Sequence, residues 1–205
     1  AVLASPRSNQ ATIESLAKII PLVLINRDIP GIPRVLIDAG QGMTEAVKHL
    51  AALGHKHIVY VSGPPHSWSN EQRQLSVYEA AEALTIKLHV IYAGTASLLS
   101  GIGIVDELLA LGASACIAFD DVLAQGICQA LEERNVNVPC DFSVIGCDDV
   151  MGFPRLTTVS SPSANAGQKA VEMLISSLSS GFSSDTRLVL DTDLLRRGTV
   201  GPPSN

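Results

Sequence analysis

The stretch "FSVIGCDDV" (142–150) is an apolar run that stops at a small residue and then sets two aspartates side by side. A little upstream, "ACIAFDDVLAQG" (115–126) does nearly the same. Short apolar runs bounded by polar residues read as buried strands. Five more lie along the chain: "AVLAS" (1–5), "PLVLINR" (21–27), "RVLID" (34–38), "HIVYVSG" (57–63) and "KLHVIYA" (87–93). Amphipathic stretches separate them. In "QGMTEAVKHLAALG", Met43, Ala46, Val47, Leu50 and Leu53 keep helical spacing, and Gly54 supplies the stop. "DVLAQGICQALEERN" and "SANAGQKAVEMLISSL" carry similar faces. Strand-helix alternation with nearly continuous apolar strands predicts an α/β fold, parallel sheets flanked by helices.

An apolar fraction of 46% against 17% charged residues describes a globular chain with a sizeable core, not a disordered one. A net charge of −6 argues against a general nucleic-acid or anionic-membrane surface. No apolar run approaches the roughly 18 to 20 residues of a membrane span, so no membrane partner is expected. Cys116, Cys128, Cys140 and Cys147 form no C-x-x-C pair. They read as small hydrophobes in a reducing compartment rather than a zinc site or a disulfide framework.

In open α/β sheets ligands bind beyond the carboxyl ends of the strands, which is where both aspartate pairs fall. An aspartate after a strand also suits the cap of the next helix. Capping is assigned to Asp121, which leaves Asp120 and Asp148 for a ligand. Two such carboxylates need a cation, and Arg73, in "GPPHSWSNEQR" after another strand, supplies it. Acceptors facing a guanidinium fork suit vicinal hydroxyls.

"HLAALGHKHIVYVSGPPHSWSNEQR", "AFDDVLAQGICQALEERNVNVPCDFSVIGCDDV", "RLTTVSSPSANAGQKAVEMLISSL" and the final "DTDLLRRGTVGPP" together resemble the effector-binding core of the LacI/GalR family of bacterial transcription regulators. Single pieces are weak signals; four in the family's order are specific. The resemblance implies a two-lobed periplasmic-binding-protein-like fold with a small polar effector (sugar, polyol or nucleoside type) between the lobes. It implies operator DNA as partner through a helix-turn-helix headpiece, a homodimer, a cytoplasmic location, no cofactor, no metal and no catalytic residue. Residue by residue, Arg73 and Asp148 match positions that grip ligand hydroxyls, Gln41 matches another cleft position, and Ser69 and Ser161 are further matches. Asp120 stands where the family usually has asparagine, which favours hydroxyl-rich or cationic ligands. Ala96 stands where some members stack a ring on the sugar.

The expected lobes are residues 1–53 with 161–181, a partial amino-terminal lobe, and 54–160 with 182–205, the carboxyl-terminal lobe. Nothing here matches the headpiece, and the first two strand-helix units of the amino-terminal lobe are missing. The expectation is a longer polypeptide, heavier than 21.5 kDa. Two other classes remain open: the sugar-binding protein of a transporter, and a Mg-dependent α/β enzyme with paired aspartates on the metal. Against the enzyme, no Gly-rich phosphate loop precedes a helix and no nucleophile stands out.

Overall fold

The computed structural model describes residues 1–4, 9–150, 152–180 and 185–204. In chain order the elements begin with β1 (Val2–Leu3), α1 (Gln10–Ala17), β2 (Val23–Ile25), β3 (Arg34–Asp38) and α2 (Gly40–Ala52). There follow β4 (His57–Ser62), α3 (Trp68–Ala83), β5 (Lys87–Tyr92), α4 (Leu98–Gly103), α5 (Val105–Ala110) and β6 (Ala115–Ala118). The last are α6 (Asp121–Glu133), β7 (Ser143–Cys147), β8 (Thr157–Val159), α7 (Ser163–Ser180), β9 (Arg187–Asp191) and β10 (Leu194–Leu195).

Two compact units result. The first comprises Ala1–Asp38, His66–Ser69 and Pro162–Thr192. Its sheet runs β1-β2-β3-β9, parallel throughout. Apolar residues cover both faces: Ile13, Leu22, Leu24 and Ile29 form one cluster, and Val23, Val35, Ile37, Ala166 and Ala170 form the other. Asn9 caps α1 by accepting from the Ala11 N–H at 2.8 Å. Arg34, nearly inaccessible, pairs with Asp28 and Asp185.

The second unit comprises Ala39–Pro65, Asn70–Ser161 and Asp193–Asn205. Its sheet runs β10-β8-β7-β6-β4-β5, with only the β10 edge antiparallel. Side chains alternate between its faces. Ile58, Tyr60, Ile117 and Ile145 meet Met43, Val47 and Leu50 of α2 and Val77 of α3. Val59, Val61, Cys116, Ala118 and Val144 meet Leu108 of α5 and Leu123, Ile127 and Leu131 of α6. Helices α4 and α6 touch through glycine. A Cβ at Gly126 would lie 2.2 Å from the Leu98 carbonyl oxygen, and one at Gly101 would lie 2.3 Å from that of Leu123.

The α/β class with parallel, helix-flanked sheets stands as expected. The boundaries differ in three main places, one of them the short stretch His66–Ser69, which groups with the first unit. Helix α2, placed with residues 1–53, packs its Met43, Ala46, Val47 and Leu50 face on β4 and belongs to the second unit. Strand β9, placed with 182–205, pairs over five residues with β3 and belongs to the first. For α2 and β9 packing and pairing decided, and neither is visible in a strand's or helix's own composition.

Candidate functional site

Several of the candidate residues lie beyond the carboxyl ends of β4, β6 and β7. After β4, the buried Asn70 side chain accepts from the Gly63 N–H at 2.9 Å and the Tyr60 hydroxyl at 3.1 Å. It also donates to the Ser62 hydroxyl at 2.9 Å. This closed network pins α3 to the strand end, and one turn further along the same helix comes Arg73. No sequence signal singled out Asn70.

Arg73 is 5% exposed. Its Nη2 donates to Asp148 Oδ1 at 2.6 Å, and its Nη1 donates to the Phe119 carbonyl at 2.6 Å. The guanidinium carbon lies 4.8 Å from the centre of the Phe119 ring. Burial alone would lower the Arg73 pKa, but its negative surroundings more than offset this and the net shift is upward. Asp148 supplies that charge, because the adjacent Cys147 thiol is itself pushed up by burial and stays neutral. The Arg73 Nε–H is buried and makes no hydrogen bond among the described residues, so one donor is unspent.

The two aspartate pairs divide their labour in a way the sequence did not disclose. Asp120 is the cap of α6: its backbone is extended, φ −142° and ψ 173°, and Oδ1 accepts from the Leu123 N–H at 2.8 Å. The cap had been assigned to Asp121. That residue has already entered the helix, so its side chain is carried away from the free N–H groups into the interior. There its Oδ2 accepts from the Val150 N–H at 2.7 Å and its Oδ1 from the Thr158 hydroxyl at 2.6 Å. Burial, reinforced by Asp148 and Asp149, raises the Asp121 pKa to about 6 against those two hydrogen bonds. Burial and then Asp148 also raise Asp120, opposed by the Leu123 N–H. In the second pair Asp148 meets Arg73, and Asp149 meets Arg197 at 2.7 Å.

Of the six candidate residues, Arg73 and Asp148 are thus in direct contact, and Asp120 is close enough to feel both. Ser161 follows β8, the strand next to β7, on the same side of the sheet. Gln41 is exposed on the first turn of α2, where its amide reaches Glu45 at 3.4 Å. Ser69 is half-buried and groups with the first unit. A cavity of about 630 Å³ lies elsewhere in the second unit, lined by Gln125, Cys128, Glu132, Phe153 and Arg155 among others, and none of the six candidates borders it. Among the described residues no group of three or more His, Cys, Asp or Glu is arranged to hold a metal ion.

Residues 47–200 match the model of the periplasmic binding protein-like domain. The chain belongs to that family. Its relatives are regulators of the LacI/GalR type. The HTH-type transcriptional regulator DegA of Bacillus subtilis is 32% identical over 204 residues, covering 95% of this chain and 60% of that protein. The chain therefore spans about three fifths of that relative's length. A LacI family transcriptional regulator from Enterococcus faecalis, solved with bound ribose, superposes with a TM-score of 0.88 at 27% identity. The match covers 99% of this chain and 78% of that one. The lac repressor dimer bound to operator and the anti-inducer ONPF gives 0.86 at 26% identity, over 98% and 73% of the two chains. These relatives are named for regulation, not for catalysis.

Proposed function

We propose that this periplasmic-binding-protein-like chain is the ligand-sensing core of a bacterial transcription regulator. It takes a hydroxyl-rich effector of the sugar, polyol or nucleoside type and modulates operator binding by a helix-turn-helix domain outside these residues. The regulator works as a cytoplasmic homodimer. The observation that carries the reading is the Arg73–Asp148 pair at the strand ends. It offers a charged acceptor beside a charged donor, the combination that a vicinal diol satisfies from both sides. Asp120 adds a second carboxylate close to the pair. The ribose-bound relative and the operator-bound dimer support the effector class, the DNA partner and the assembly.

A ligand that binds only the folded state raises its melting temperature with concentration. A thermal-shift screen of sugars, polyols and nucleosides, D-ribose among them, should give a saturable rise for one class. No shift across all three classes would refute the reading.

A further inference from the structure

We propose that Asp121 is a positioning residue for the Arg73–Asp148 pair: from the start of α6 it ties the turn at 148–150 to β8 and so fixes the backbone that presents Asp148. The inference deepens the effector-binding reading and rests on it for the ligand.

Asp121 is 1% exposed, so its carboxylate answers to the protein alone. One oxygen holds the Val150 N–H and the other holds the Thr158 hydroxyl. A single side chain thereby joins α6, the turn after β7, and β8. Strand β7 makes room for it: a Cβ at Gly146 would lie 2.2 Å from Asp121 Oδ1, so only glycine lets the carboxylate cross the strand there. The turn itself needs holding. Asp148 has φ 101° and Asp149 φ 49°, conformations that non-glycine residues rarely adopt unless their surroundings impose them. Three other fastenings flank it: the Asp148 N–H to the Val159 carbonyl at 2.8 Å, Asp148 to Arg73, and Asp149 to Arg197. None of these reaches Val150, whose N–H has Asp121 as its acceptor. Nor is Asp121 needed as a cap, since Asp120 serves that end of α6.

The test compares Asp121→Ala with Asp121→Asn, which keeps the shape and one acceptor oxygen. Native-state amide exchange, resolved by residue, reports the turn without any ligand. In the alanine variant the Val150 amide should exchange about tenfold faster while those of Ile117 and Val144 hold, with asparagine restoring protection. Calorimetry with D-ribose as probe should show affinity falling about tenfold with alanine and returning with asparagine. Should alanine not fold, Thr158→Val removes the β8 end of the tie and should give the same localised rise. An unchanged Val150 amide, or an equal acceleration at Ile117 and Val144, would overturn the proposal, the second because it reports only lost global stability. Failure of the unaltered protein to bind D-ribose would count against the ribose form of the effector reading, while the exchange data still decide the role of Asp121.

Discussion

Removing Asp148 tests two roles at once, because its partner is a guanidinium buried to within 5% of full occlusion. Set beside Asp120 alone, Asp148→Ala would spare the fold by relieving repulsion between the two carboxylates. With Arg73 in place the balance reverses, since the variant strands a buried cation. Asp148→Ala should cost about 1–3 kcal/mol of stability and also weaken effector binding by roughly one to two orders of magnitude. Melting temperature and calorimetric affinity on the same variant check both. Unchanged stability would mean that the pair forms only with ligand. Asp121 adds a pH dependence. Its folded pKa of about 6 exceeds the roughly 3.9 of an unfolded aspartate, so the folded state binds the proton more tightly. Its contribution is therefore fully present below about pH 4 and lost as pH rises through about 6. Asp121→Asn should flatten that part of the stability-pH curve, measured by melting temperature from pH 4 to 7.5; an unaltered slope would refute it. Arg73 and Asp148 were legible because charge and strand-end position are written in the sequence. Which aspartate caps α6 was not, because one φ angle separates the cap from the first helical residue.

Strands β4, β6 and β7 were legible almost to the residue, since "HIVYVS", "ACIA" and "SVIGC" are buried on both faces and read as unbroken apolar runs, whereas the short β8 and β10 were not. Helix α3 had no such signature. Its inward face includes Asn70 and Arg73, while Leu75 and Tyr78 point outward, so a hydrophobic-periodicity reading passes over it. Polar bonding displaced the usual pattern: Asn70 and Arg73 on the buried face hydrogen-bond to the chain beyond β4, β6 and β7. The α4–α6 crossing was also hidden, because a glycine in a helix reads as a weakness until a partner is seen against it. Gly126→Ala should destabilise by about 1–3 kcal/mol, through overpacking against the Leu98 carbonyl. Gly103→Ala, with nothing within 4 Å of the added carbon, should stay within about 0.5 kcal/mol. Chemical denaturation of the two variants side by side checks the contrast, and equal losses would show that helix propensity, not contact, governs both.

For the whole molecule, sensing requires two states of the regulator with different affinity for the effector, since a ligand shifts an equilibrium only by that difference. The two-unit organisation was legible as a family pattern, but its boundaries were not, because they depend on where α2 packs and β9 pairs. The same limit applies to assembly. Of the apolar stretches 50–54 and 98–108 that could serve a dimer, Leu50 and Leu108 are buried in the second unit, whereas Leu98 and Leu99 are exposed. Further exposed apolar residues are Leu75 at 50% and Tyr78 at 55% on α3, and Tyr92 at 73% on β5, an edge strand of the six-stranded sheet. An edge strand flanked by exposed apolar side chains is a surface that proteins normally cover. Covering it with a second copy fits the proposed homodimer. Light scattering at micromolar concentration should then give twice 21.5 kDa for these 205 residues. Replacing Leu75 and Tyr78 together by aspartate should return the monomer with its melting transition intact, because neither side chain is part of the core. A monomer before substitution would refute the dimer. A dimer that persists after it would move the interface away from α3.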